Sequence, residues 1–233
     1  MRINRFLIKF NSNSDNLQIN NAEIYNKIRN VLKLKPGEKI ILFDGEANEA
    51  LTEILNIDAR NKTIDLMVLD KRKDIKKINK EIILYCSILK KENFELVVQK
   101  ATEIGIAKIV SIISERTIKT GVKKERMEKI IEEASEQSGR ATLLKFVEPT
   151  GLKQAMESAK VNDLNLFFDI SGEFINFPIL TSGKIGIFIG PEGGWNKNEL
   201  ESANKYNMKI VKLSDLTFRA ETAAIIAGYL SFL

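Results

Sequence analysis

Ile185-Gly186-Ile187-Phe188-Ile189-Gly190-Pro191-Glu192-Gly193-Gly194-Trp195-Asn196-Lys197-Asn198-Glu199 reads as a strand, a glycine loop and the start of a helix. The apolar run Ile185 to Ile189 is short and β-branched, as in a strand buried on both faces of a parallel sheet. Three glycines around a proline then let the backbone come close to a ligand and present its N–H and C=O groups. Asn196 with Glu199 three residues later is a capping box, so the loop is held between a buried strand and a capped helix. Ligands of open α/β sheets bind outside such carboxyl ends. A phosphate loop fits poorly, because no Gly-Lys-Ser/Thr follows and Glu192 would repel phosphate. An acidic, carbonyl-rich loop suits hydroxyls, amines or a cation, and S-adenosylmethionine presents all of these.

A second strand end lies downstream, at Val211-Lys212-Leu213-Ser214-Asp215-Leu216-Thr217-Phe218-Arg219-Ala220-Glu221-Thr222-Ala223. Glu221 suits the first turn of the helix that runs from Glu221 to Phe232, whereas Arg219 opposes its dipole and needs another reason to be there. Upstream, strands fit Ile82 to Leu89, Ile109 to Ile113, Leu143 to Val147 and Leu164 to Phe168, with helices at Asn93 to Ile104, Lys124 to Ser138, Leu152 to Ala159 and Lys197 to Tyr206. This β-α alternation predicts a parallel sheet covered on both faces. The first seventy residues differ. Ile3 to Phe10, Lys39 to Gly45, Glu49 to Ile57 and Thr63 to Leu69 read as strands, with one short helix over Asn21 to Leu32, which predicts a small, barrel-like β unit. The charged stretch Lys71 to Lys80 is the expected linker.

Composition narrows the chemistry. The 233 residues contain no histidine, which excludes Ser-His triads and His metal sites, and one cysteine, Cys86, which forms no internal disulfide or thiolate zinc site. No apolar run is long enough to cross a membrane. The expectation is a cytoplasmic protein without metal. A net charge of +5 favours a polyanionic partner, with basic residues grouped at Lys71 to Lys77 and Lys119 to Lys129.

The pair Gly190-Pro191-Glu192-Gly193-Gly194 and Leu213-x-x-x-x-Phe218-Arg219-Ala220-Glu221-Thr222-Ala223 resembles the RsmE-like family of 16S ribosomal RNA uridine N3-methyltransferases, of the SPOUT superfamily. The resemblance extends to Lys90, Gln99 to Gly105, Ser114 to Thr117, Glu133 to Arg140, Val31 to Lys33 and Phe43 to Gly45. It implies a PUA-like RNA-binding barrel over 1–72 and a SPOUT methyltransferase domain with a trefoil knot over 73–233. It further implies S-adenosylmethionine as cofactor, 16S ribosomal RNA or the small ribosomal subunit as partner, and a homodimer. The implied cofactor contacts are Ile189, Gly190, Glu192, Gly193, Gly194, Leu213, Ser214, Leu216, Phe218 and Thr222. Arg219 and Glu221 are the implied catalytic pair, and Arg2, Arg5, Lys33, Lys90, Lys100, Arg116 and Arg140 the implied RNA contacts. Trp195 is a candidate for stacking on a base or for packing.

The chain departs from the family pattern where Ser214 replaces a glycine, Leu216 an arginine, Ala220 a threonine and Lys33 an arginine. Two other readings stay open. One is a related SPOUT enzyme acting on a ribose 2′-hydroxyl or on transfer RNA, although those usually end their last motif in Ser-Leu-Asn-Val. The other is a catalytically silent RNA-binding homologue.

Overall fold

The computed structural model describes residues 3–11, 14–73, 80–118, 120–178 and 183–233. The chain divides into two compact units, one of Met1–Lys76 with Ser135–Leu143, the other of Lys77–Ala134 with Leu144–Leu233. The first unit is therefore discontinuous. The last turn of a helix of the second unit, and the turn after it, join the first.

The first unit is a five-stranded, PUA-like sheet in the order β1-β3-β4-β5-β2. Its strands are β1 (Asn4–Leu7), β2 (Asn16–Ile19), β3 (Lys39–Phe43), β4 (Asn48–Asp58) and β5 (Thr63–Lys73). β1 runs parallel to β3, and the other neighbours are antiparallel. Alternation along these strands sends Phe6, Ile19, Ile40, Leu42, Ile54, Ile64 and Leu66 into one core. Helix α1 (Ala22–Asn26) closes that core with Ile24 and Tyr25, and a π-helical turn over Lys27–Val31 adds Ile28. Asn21 caps α1 by accepting from the backbone N–H groups of Glu23 and Ile24.

Two expectations change here. β2 was not expected, because its four residues lie within a polar Asn/Ser/Asp stretch. β5 runs on through Lys73, so the first part of the expected linker is ladder, while residues 74–79 lie outside the described ones.

The second unit is a six-stranded parallel sheet in the order β11-β9-β10-β6-β7-β8. The strands are β6 (Lys80–Ser87), β7 (Lys108–Ile113), β8 (Lys145–Gly151), β9 (Leu164–Phe174), β10 (Gly183–Ile189) and β11 (Lys209–Lys212). The helices are α2 (Lys91–Ile104), α3 (Lys124–Ser138), α4 (Leu152–Ser158), α5 (Lys197–Lys205) and α6 (Ala220–Leu230). One face buries Tyr85, Val110, Phe167, Phe188 and Trp195 against residues of α4 and α5. The Tyr85 and Phe188 rings stack at 4.3 Å on neighbouring strands. α6 packs against α2 and against β6 and β10. The chain leaves β6 toward β7 and β8, then returns on the other side through β9 and β10. The order therefore reverses between β6 and β10, where α/β sheets open their ligand crevice.

One irregularity decides the shape of that end. On β9, Phe167 pairs with Ile210, but the next pair is Glu173 with Val211. Residues 168–172 thus have no partner on β11 and form a bulge on that side. Gly172 allows it to close, because a Cβ there would lie 2.5 Å from the Val211 nitrogen. Only a glycine fits.

Candidate active site

β9, β10 and β11 are adjacent in the sheet, and the β9 bulge and the chain at the carboxyl ends of β10 and β11 line one cleft of about 660 Å3. The β9 bulge contributes Phe168, Asp169 and Ile170. The loop after β10 contributes Ile189 to Trp195. The segment after β11 contributes Leu213, Ser214 and Leu216 to Glu221, and Lys90 and Asn93 come from the start of α2.

The cleft gathers nine of the ten expected cofactor residues: Ile189, Gly190, Glu192, Gly193, Gly194, Leu213, Ser214, Leu216 and Phe218, together with Arg219 and Glu221. Thr222 is the exception. It is partly buried on α6, whose cleft-facing positions there are Ala220, Glu221 and Ala223.

The glycine loop is held from several sides. Gly194 closes a turn by donating to the Pro191 carbonyl at 2.9 Å, with a φ of 68° that favours glycine. Trp195 is buried and donates its indole N–H to the Phe168 carbonyl at 3.0 Å, with its ring 4.4 Å from that of Phe167. It is a core residue and offers no open face to a base. Its ring fills the space beside Gly190, where a Cβ would stand 3.0 Å from the indole. Asn196 and Glu199 form the expected capping box of α5.

Glu192 accepts from the backbone N–H of Lys90 at 2.9 Å, so its carboxylate sits at the entry of α2. Arg116 donates to the Gly193 carbonyl at 2.7 Å and lies near the Trp195 carbonyl at 3.4 Å. Its charge is directed at the loop. A Cβ on Gly193 would meet the Arg116 stem at 3.3 Å.

Arg219 and Glu221 differ in their surroundings. Arg219 is the N-cap residue of α6, is exposed, and has no side-chain partner among the described residues. Glu221 is only 7% exposed, and its Oε2 is buried without a hydrogen-bond partner among the described residues. An uncompensated carboxylate beside a cleft is costly unless a ligand completes it. Its field, with that of Glu192, adds to burial in pushing the Cys86 thiol above its ordinary range. Burial comes first in that shift, and Cys86 is an inert core residue.

The expected RNA contacts separate into distinct kinds. Arg2 lies outside the described residues. Lys33 and Lys90 are exposed, with no side-chain partner among the described residues. Arg5 is engaged by the buried Glu49, with Arg72 at 3.4 Å from the same carboxylate. Lys100 pairs with Glu103 at 3.0 Å. Arg140 is partly buried, donates to Thr142, and is drawn down to about 10 by burial. The basic stretches are likewise partly neutralised, with Lys71 on Asp15 and Arg126 on Glu95. Among the described residues, no group of acidic or cysteine side chains could hold a metal, and no helix is long and apolar enough to cross a membrane.

The β9 bulge is the part of the site that sequence reading missed. From the sequence the strand ends at Phe168, and Asp169 and Ile170 fall in no element. The signal available was Gly172, a glycine four residues beyond that end, which marks a bulge where a strand continues past it.

Comparison with known proteins identifies the family. The family model described as "RNA methyltransferase domain" matches residues 76–230, and that described as "RNA methyltransferase PUA domain" matches residues 19–67. The ribosomal RNA small subunit methyltransferase E of Rickettsia conorii is 31% identical over 208 residues, 86% of this chain and 82% of that protein. A methyltransferase of Legionella pneumophila, solved with its bound cofactor SAM, superposes with a TM-score of 0.86 at 26% identity, covering 98% of this chain and 96% of that one. The ribosomal RNA small subunit methyltransferase E of Neisseria gonorrhoeae, bound to S-adenosyl methionine, gives 0.82 at 27% identity, covering 97% and 95%. With both of its units matched and its cleft at the same sheet edge as its glycine loop, this chain belongs to the RNA methyltransferase family of the ribosomal RNA small subunit methyltransferase E proteins.

Proposed function

We propose that this chain methylates N3 of a uridine in 16S ribosomal RNA of the small subunit, with S-adenosylmethionine as methyl donor. The observation that carries this reading is the meeting on one cleft of a buried carboxylate, Glu221, and an exposed guanidinium, Arg219, neither with a side-chain partner among the described residues. A cationic cofactor answers the first, and an acceptor that becomes anionic answers the second.

The donor set fits the cofactor. Glu221 supplies negative charge beside a ligand that carries sulfonium and ammonium groups. Gly190, Gly193 and Gly194 keep the loop low, and Leu213, Leu216 and Phe218 offer apolar surface for an adenine. When bound, S-adenosylmethionine supplies an electrophilic methyl group.

The protein's own residues do the rest. As the N3–C bond forms and the sulfur–carbon bond breaks, the uracil must lose its N3 proton. Arg219 then meets charge developing on the uracil carbonyl oxygens, a preorganised stabilisation. Glu221 is the carboxylate available to orient the acceptor or receive the proton. N3 lies on the Watson–Crick edge, so the base must be unpaired to enter. Lys33 and Lys90 contribute positive charge toward the RNA backbone. The reading includes a cytoplasmic homodimer with a trefoil-knotted second unit, as the family resemblance implies.

The test is transfer of labelled methyl groups to small subunits from cells lacking this protein, followed by nucleoside analysis. Label in 3-methyluridine is the expected result. Label in a 2′-O-methylated nucleoside would favour the ribose reading. Absence of both transfer and cofactor binding would favour a silent RNA-binding protein.

A further inference from the structure

Arg116 lies in the turn after β7, and that turn is tied down at several points. Ser114 and Thr117 lock it, with the Ser114 N–H donating to Thr117 Oγ1 at 3.0 Å and the Thr117 N–H to the Ser114 carbonyl at 3.1 Å. The Ser114 hydroxyl accepts from Ser87 at the end of β6 at 3.2 Å. Glu115 takes part with both backbone and side chain. Its N–H donates to Glu199 Oε1 at 2.9 Å, and its carboxylate accepts from the Asn196 amide. From this base Arg116 reaches the Gly193 carbonyl at 2.7 Å.

The loop it reaches has little order of its own. Among the described backbone hydrogen bonds, one closes within it, from Gly194 to Pro191. Two adjacent glycines carry more backbone freedom than any other pair, and binding a ligand would otherwise have to remove it. The hydrogen bond to the Gly193 carbonyl fixes one end of the Gly193–Gly194 peptide plane, and the bond to Pro191 fixes the other. The Arg116 stem packs over the bare face of Gly193, where an added Cβ would stand a tight 3.3 to 3.4 Å from it.

We propose that Arg116 is a positioning residue of the cofactor loop, holding Gly193 and Gly194 in their binding conformation before the ligand arrives, rather than a contact to RNA phosphate. The proposal rests on the assignment of the cleft to S-adenosylmethionine, and preorganisation is its physical content.

Two measurements on the full-length protein separate the possibilities. The first needs no ligand: exchange of the Gly194 amide should quicken about tenfold in Arg116→Ala, the scale of one charge-assisted hydrogen bond, with the β6 and β10 amides unchanged. Arg116→Lys should restore part of the protection, since an ammonium can donate to the same carbonyl but lacks the rigid planar guanidinium. Unchanged Gly194 exchange in Arg116→Ala overturns the proposal whatever the ligand is.

The second is calorimetry with S-adenosylmethionine beside RNA binding at several salt concentrations. Arg116→Ala should bind the cofactor about tenfold more weakly, with RNA affinity and its salt slope unmoved. Gly193→Ala should resemble it, and the double variant should be no worse than either. Full cofactor affinity with a salt slope lower by about one would make Arg116 a phosphate contact. Failure of the wild-type protein to bind cofactor would remove the cofactor assignment, while the exchange result still decides the clamp.

Discussion

The Glu192 carboxylate accepts a hydrogen bond from the backbone N–H of Lys90 across 102 positions of sequence, at 2.9 Å. A residue of the cofactor loop thereby serves the start of α2, which has no side-chain cap of its own. The loop and the helix entry become one unit, and the acidity that argued against a phosphate ligand has a structural use as well.

Removing that contact should be felt at both ends. Glu192→Ala leaves the α2 entry without its acceptor and should cost about 1 kcal/mol, the usual value of a helix cap. Glu192→Gln keeps an acceptor oxygen and should retain most of the stability. Chemical denaturation of the two variants checks this. Equal stability of Ala and Gln would show that the Lys90 bond contributes nothing.

What the sequence could tell follows from how far each feature reaches along the chain. The Asn196–Glu199 box and the Gly194–Pro191 turn are local, with partners three residues apart, and the strand Ile185 to Ile189 shows in its own apolar run; each forms as read. The β9 bulge is not local, because its register is decided by Val211, 39 positions beyond Gly172, and the sequence alone ends the strand at Phe168. β2 stayed hidden because its Leu17 and Ile19 become strand residues only beside β5. Charges are the least legible of all. Arg5 and Arg116 read as phosphate partners until the fold brings Glu49 and the Gly193 carbonyl to them.

That distinction predicts different outcomes for two basic residues. Lys90→Ala removes an unpaired ammonium but leaves the backbone N–H for Glu192. It should weaken RNA binding and lower the salt slope by about one, with little change in stability. Arg5→Ala leaves Glu49 buried, with the half-exposed Arg72 as its remaining cation among the described residues, and should destabilise on the order of 3 kcal/mol. Paired melting and filter-binding curves decide the matter. If Arg5→Ala melts like wild type and loses RNA affinity, its pair with Glu49 is incidental.

The Arg126–Glu95 pair ties α3 to α2 and sets an acid-side dependence. The Arg126 hydrogen bond comes first in lowering Glu95 below the ordinary carboxylate range. The folded-state value is thus the lower one, so the pair's contribution is present above the unfolded value, about 4.3, and lost as pH falls through the folded value. Arg126 is about half exposed and salt screens the pair, so the effect is small. The melting-temperature gap between wild type and Arg126→Gln should be open at neutral pH and close as acidification passes the lowered Glu95 value. A gap that persists at the lowest pH would mean that Arg126 acts through packing.

Arg219 gives the sharpest test of the proposed chemistry. It stands at the N-cap of α6, where a cation opposes the helix dipole, yet no carboxylate of the described residues pairs with it. Stability therefore gives no reason for its charge. Arg219→Ala should melt at or slightly above the wild-type temperature and bind cofactor with nearly unchanged affinity. If the guanidinium stabilises charge on the uracil, turnover at saturating RNA and cofactor should fall roughly a hundredfold or more, the usual cost of one preorganised donor. Arg219→Lys should recover only part of this, because an ammonium does not reproduce a planar, forked donor set. Single-turnover methylation separates the chemical step from binding and release. Turnover that survives in Arg219→Ala, or a protein that unfolds without the arginine, would assign Arg219 to structure and leave the developing charge to another group.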